Sequence, residues 1–290
     1  LQGTYLMWID CTTFGLDDEA LDKLLRKHDL FCDAGTLFSQ AAYVGLTGDF
    51  GRVTLGRQFN VAEDLGIALD AVMLDLDGTL VNTLGDFSAA LNGMLADLRL
   101  PAIAPEVIEH LVGKGTEHLL RSVLAHGGLD AAQVQAQYAQ AWQRYEHHYL
   151  RINGQFAQVY PGVEEGLHTL AAAGLPLACL TNKPLAFAQP LLRAKGLEKY
   201  FQCVFGGDSF ARKKPDPLPL LETCKALGTQ PGRTLMVGDS SNDAQAARAA
   251  GCPVVLMTYG FNHGEPIAAV PALAHWDALA QVQGRLSPQR

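Results

Sequence analysis

The sequence is short of positive charge. Its 290 residues carry 22 Lys and Arg against 30 Asp and Glu, a formal net charge of −8. Nucleic-acid binders gather Lys and Arg on one face. Here the compact basic clusters are "LLRKH" at 24–28 and "ARKK" at 211–214, and no nucleic-acid partner is expected. No run approaches eighteen consecutive apolar residues, so no membrane span is expected. No secretory signal pattern is visible. The six cysteines, at 11, 32, 179, 203, 224 and 252, form no CxxC and no Cys/His cluster. That speaks against structural zinc and a disulfide framework, and for buried free thiols in a reducing cytoplasm. Repeats and low-complexity tracts are absent. The first residue is Leu1 rather than Met, which leaves open that the sequence is a piece of a longer product.

What is present divides near residue 68. Before it, "TYLMWIDC" (4–11) reads as a strand and "LDDEALDKLLRKH" (16–28) as an amphipathic helix, acidic at its start and basic at its end as the helix dipole prefers. "GDFGRVTLGRQFNVAEDLGIAL" shows no clear pattern. After residue 68, short apolar runs at 71–76, 176–182, 201–207, 233–239 and 253–260 alternate with helical stretches. The runs are continuous rather than alternating, as burial on both sheet faces requires. The fold class expected is α/β, a Rossmann-like parallel sheet with helices on both faces. Residues 84–158 lack a convincing strand and read as a helical insert. The expected domains are therefore 1–68, a core of 69–83 and 159–290, and a cap of 84–158.

In an open parallel sheet, ligands bind beyond the carboxyl ends of the strands. The first core strand ends in Asp75-Leu76-Asp77, the second in Thr181-Asn182. The third leads to Lys213-Lys214, and the fourth ends at Asp239, with Asp243 four residues on. Four strand ends thus bring acids, a hydroxyl and an amine to one edge. This set suits phosphoryl transfer with Mg²⁺, a hard cation that takes one or two carboxylates plus a phosphate oxygen. A divalent ion also offsets the mutual repulsion of the acids.

The motifs "DLDGTLVNT", "LTNKP", "KKPDP" and "GDSSNDAQAARAAG" resemble the four ordered motifs of haloacid dehalogenase-like hydrolases. With "VYPGVEEGLHTL", the chain from about 70 to 285 is similar to the phosphoglycolate phosphatase family within them. That resemblance implies Asp75 as nucleophile and Asp77 as general acid and base. It implies Thr181, Asn182 and Lys214 around the phosphoryl group, with Lys213 as the competitor for Lys214. It implies Mg²⁺ on Asp75, Asp239 and the carbonyl of Asp77, with Asp243 acting through water or orienting Lys214. Gly78 lets the chain turn past the nucleophile. The substrate implied is a small phosphorylated metabolite, foremost 2-phosphoglycolate, for which Lys114 in "LVGKGTEHLL" is the candidate carboxylate partner and Arg121 the second. A phosphosugar mutase or another small-metabolite phosphatase is the alternative within the fold, and a non-catalytic binding module the alternative outside it. His147 and His148 read as surface residues.

Residues 1–68 resemble the carboxyl-terminal small domain of pyridoxal-phosphate aminotransferases and cystathionine β-lyase-like enzymes, with Arg52 in "GRVTLG" at the position of the carboxylate-binding arginine. The large domain of that family is missing, so no pyridoxal phosphate is expected.

Overall fold

The computed structural model describes residues 5–8, 41–48, 51–58 and 69–283. The chain divides into two units, Leu1–Ile67 and Ala68–Arg290. In the first unit β1 (Tyr5–Trp8), β2 (Ala41–Gly48) and β3 (Gly51–Gln58) form an antiparallel sheet in the order β1-β3-β2. The register of β2 and β3 brings Gly48 opposite Gly51. Glycine carries no side chain to mark a face and is depleted in strands. Gly45, Gly48, Gly51 and Gly56 are what hid this pair in the sequence. The helix expected over 16–28 lies outside the described residues.

In the second unit β4 (Ala71–Leu74) is entirely buried. It is flanked by β7 (Leu177–Leu180) on one side and β9 (Thr234–Gly238) on the other, both parallel to it. β8 (Cys203–Phe205), β10 (Val254–Met257) and β11 (Ala274–Trp276) complete a six-stranded parallel sheet, order β11-β10-β9-β4-β7-β8. The first five strands fall within the expected apolar runs. β11 was not anticipated, because three residues, "AHW", are too few to show a pattern. Helices α5 (Val163–Ala172), α6 (Leu185–Ala194), α7 (Leu218–Leu227) and α8 (Ser241–Ala250) connect the core strands. Met73, Ala178, Leu180 and Met236 pack on one face against Leu220 and Cys224 of α7 and the alanines of α8.

The chain leaves the core through β5 (Val81–Asn82) and returns through β6 (Gln158–Val159), which pair antiparallel. Between them lie α1 (Leu84–Asp97), α2 (Pro105–Leu111), α3 (Thr116–His126) and α4 (Ala131–Ile152). α4 begins at a reciprocal capping box of Asp130 and Gln133, which satisfies two otherwise unpaired backbone donors. The four helices share their own apolar cluster, including Leu91, Met94, Leu120, Val123, Tyr145 and Tyr149. Asp86 of α1 is fully buried and accepts from the backbone N–H groups of Gly154 and Phe156, clamping the start of this bundle to its exit. Among the described residues no helix is long and apolar enough to cross a membrane. Cys179, Cys203, Cys224 and Cys252 are free thiols.

Candidate active site

β4, β7 and β9 are neighbours, so their carboxyl ends meet at the centre of one sheet edge. Asp75 follows β4, and its backbone N–H still donates to Val237 O of β9 at 2.9 Å. Thr181 and Asn182 follow β7, and Asp239 follows β9. The loop before α7 adds Lys214. Its buried ammonium lies 3.1 Å from Asp75 Oδ1 and 2.7 Å from Asp243 Oδ1, and donates to Leu180 O at 2.9 Å. Of the two lysines it is therefore Lys214 that reaches the acids; the Lys213 ammonium lies beside Gly115 in the α2–α3 loop.

Asp243 opens α8 in a capping box with Ser240. Its Oδ2 accepts from Asp239 N (3.2 Å), Ser240 N (3.1 Å) and Ser240 Oγ (2.6 Å). Its geometry is that of a residue holding Lys214 and the helix start together. Asp239 Oδ1 accepts from Thr79 Oγ1 and Oδ2 from Phe261 N, both at 2.6 Å. Gly78 has φ of 86°, and a Cβ there would collide with the Asp239 carboxylate and the Phe261 ring. Both the turn and the close approach demand glycine.

Burial is the main influence on the acids. It pushes the Asp75 carboxyl up to about 6, against the pull of Lys214 and with added repulsion from Asp243 and Asp77. It pushes Asp239 well above the usual carboxylate range, with Asp243 and Asp75 adding to it. Burial disfavours the Lys214 charge too, but Asp243 and Asp75 outweigh it and hold this ammonium above its ordinary pKa. Carboxylate oxygens of Asp75, Asp239 and Asp243 all lie within 4.8 Å of one another. Three buried acids thus face one buried ammonium. A divalent cation with oxygen preference fits this excess of negative charge, and Mg²⁺ is such an ion. Among the described residues this is the only such group of acids, cysteines or histidines. His148 pairs instead with Asp97 at 3.0 Å on the surface.

A pocket at this edge is lined by Asp75, Asp77, Thr181, Asn182 and Lys183 from the core, and by Gly113, Gly115 and Thr116 from the helical bundle. Asn182 Nδ2 and Asn242 Nδ2 both donate to Gly113 O, at 3.3 and 3.2 Å, so two core loops hold the α2–α3 loop over the acids. Asn182 also donates to Lys214 O at 2.9 Å, and Thr181 Oγ1 accepts from Lys183 N at 3.2 Å. Lys114 lines a groove together with Arg212, Lys213, Lys214 and Asn242, while its neighbours Gly113 and Gly115 line the pocket. Arg121 on α3 pairs with Glu117 of the same helix and with Gln135 of α4, each at 2.9 Å.

The residue that sequence reasoning passed over is Lys183. Its ammonium is 3.0 and 3.1 Å from the two carboxylate oxygens of Asp77 and only 2% of its side chain is exposed. The available signal was its place in "LTNKP", two residues beyond Thr181 at the end of a buried strand, where a lysine has little access to water.

Residues 72–257 match the family model "Haloacid dehalogenase-like hydrolase". The chain belongs to that family, and is a hydrolase with the parallel-sheet core the family shares. Within it, the chain is 44% identical over 214 residues to a phosphoglycolate phosphatase of Thiobacillus denitrificans, covering 94% of that protein and 72% of this chain. It is 44% identical over 221 residues to a phosphoglycolate phosphatase of Nitrosospira multiformis, covering 97% of that protein and 74% of this chain. A crystal structure of a predicted phosphoglycolate phosphatase from Haemophilus somnus superposes with a TM-score of 0.70 at 33% identity, covering 97% of that chain and 75% of this one. Residues 7–101 also match the model "Gram-negative porin", a match that overlaps the hydrolase match over 72–101; the resemblance of residues 1–68 to an aminotransferase domain is not shown.

Proposed function

We propose that this chain is a Mg²⁺-dependent phosphatase that hydrolyses 2-phosphoglycolate to glycolate and phosphate through an aspartyl-phosphate on Asp75. The observation that carries the reading is Asp75 at the end of a central strand, ion-paired to buried Lys214 and within one pocket with Asp77. The relatives named as phosphoglycolate phosphatases support the choice of substrate.

An oxygen of Asp75 attacks phosphorus, and the bond from phosphorus to the glycolate oxygen breaks. Asp77 gives that oxygen its proton, so glycolate leaves as the alcohol. Asp77 then takes a proton from a water that attacks the phosphoryl group on Asp75, and phosphate is released with Asp75 restored. Lys214 and Thr181 hold the phosphoryl oxygens as charge develops on them. Asp243 fixes Lys214 from behind. Mg²⁺, when bound to Asp75, Asp239 and the Asp77 carbonyl, supplies charge stabilisation to the phosphoryl oxygens. The closed α2–α3 loop excludes bulk water from the reacting centre.

The test is phosphate release by the full chain with Mg²⁺ from 2-phosphoglycolate, hexose phosphates, nucleoside monophosphates and pyrophosphate. The highest kcat/KM is expected on 2-phosphoglycolate. A folded protein that prefers a hexose phosphate would replace the substrate assignment, and one that turns over no phosphomonoester would overturn the whole reading.

A further inference from the structure

We propose that Lys183 is the residue that selects the substrate's carboxylate, an assignment that rests on 2-phosphoglycolate being the substrate. With phosphorus at Asp75, the carboxylate of a two-carbon acid lies only a few bonds away and stays inside the pocket. A carboxylate taken out of water needs a cation or several donors. The pocket offers few.

Lys214 is engaged on three sides, by Leu180 O, Asp75 and Asp243. An ammonium has three N–H groups, and any that Lys214 turns away from Asp75 goes to the phosphoryl oxygens on that residue, not to the carboxylate. Lys114, Arg212 and Lys213 line the groove that borders Lys214 on its other side, and are not among the residues that line the pocket. Lys183 is the cation that lines the pocket itself. Its oxygen contacts among the described residues are the two of the Asp77 carboxylate. Its remaining surroundings are ring faces, Phe87 at 4.4 Å and Tyr149 at 4.8 Å. Aromatic faces stabilise an ammonium without accepting conventional hydrogen bonds, so donor capacity remains for a ligand. Exclusion of water strengthens its attraction for an anion. Behind Lys183, outside the pocket lining, the hydroxyls of Tyr145 and Tyr149 are buried with no hydrogen-bond partner. The surroundings of Lys183 thus hold polar capacity that the protein itself leaves unused.

The Asp77 pair gives the arrangement a consequence. The substrate carboxylate and the Asp77 carboxylate compete for one ammonium. As the substrate engages Nζ, the Asp77–Lys183 contact loosens, and Asp77 takes from water the proton it later donates and turns to the leaving oxygen. Recognition of the acid and release of the proton donor run through one side chain.

The experiment compares kcat/KM for 2-phosphoglycolate and for ethyl phosphate, which lacks the carboxylate, in the full chain with Mg²⁺. Wild type, Lys183→Met and Lys183→Gln are measured, with thermal melts alongside. The expected result is a wild-type preference for 2-phosphoglycolate that shrinks about 100-fold in both variants, the scale for removing one partner of a desolvated charge pair. Lys183→Gln keeps hydrogen-bond donors without the charge, and decides the matter if Lys183→Met gives no cooperative melt. Lys183→Arg retains the charge and is expected to recover part of the preference. Variants that lose both activities in equal proportion while melting as wild type would overturn the assignment. So would a preference that collapses in Lys114→Ala and persists in the Lys183 variants. A wild type with no preference between the two substrates would instead remove the phosphoglycolate reading, and this assignment with it.

Discussion

Asp75, Asp77 and Asp239 owe their properties to neighbours far away in sequence. A buried acid beside two others favours its neutral form, and a nucleophile needs the charged one. Lys214 supplies part of the difference to Asp75 from 3.1 Å, and the proposed ion supplies the rest. Gly78 is where this crowding shows most directly, because its φ of 86° and its contact with Asp239 leave no space for a side chain. Gly78→Ala is expected to cost about 1–3 kcal/mol from backbone strain and displacement of the Asp239 carboxylate. Its melt should fall by several degrees and its turnover by more than tenfold. A variant with unchanged melting temperature and rate would show that the turn has slack the geometry denies. At this scale the sequence was informative about identity and poor about pairing. Asp75, Thr181, Lys214 and Asp239 could be read from strand ends, since an apolar run that ends in a carboxylate marks where strand meets ligand. Lys183 showed only its place in "LTNKP"; its pairing was not legible, because its partner Asp77 lies 106 residues away and its aromatic neighbours come from the helical insert.

Among elements, the decisive relation is between the helical insert and the sheet edge. β5 and β6 bring both ends of the insert to one place, so α1–α4 can tip over the acids without disturbing the sheet. The closed position is held in part by Asn182 and Asn242 donating to one carbonyl, Gly113 O. Asn242→Ala removes one of these bonds and none of the groups that touch phosphorus. A hydrogen bond of this kind is worth a net factor of about 2- to 10-fold. The expected outcome is a KM raised by that factor with kcat changed less. An unchanged KM would mean that closure does not depend on Asn242. The insert itself was legible as four helical stretches without a strand, because helix periodicity persists over many residues. The pair β2 and β3 was not, because glycines at both strands blank out the alternation. β11 was not, because its place at the sheet edge depends on β10 and not on its own three residues.

For the whole molecule, charge and metal are linked through folding. Asp75 and Asp239 have folded-state pKa values above the ordinary carboxylate range, with Asp75 at about 6. Such groups add stability below the unfolded pKa and lose it as pH rises through the folded one. The proposed Mg²⁺ would bind the ionised acids and act in the opposite sense. Mg²⁺ at about 100 times its Kd should stabilise by about 2.7 kcal/mol, a rise in melting temperature of roughly 5–10 °C for the phosphatase unit near pH 8. The rise should shrink toward pH 5, where protons compete for the same oxygens. A rise that is equal at both pH values would place the ion away from these acids. All the site residues named above lie within the second unit, Ala68–Arg290.

The most direct measurement is phosphate release from 2-phosphoglycolate by the full chain with Mg²⁺, wild type beside Asp75→Asn. The account predicts turnover by wild type with 2-phosphoglycolate the preferred ester, and a loss of at least about 1,000-fold in Asp75→Asn, whose amide cannot attack phosphorus. Equal rates for the two folded proteins, or no release by wild type, would contradict it.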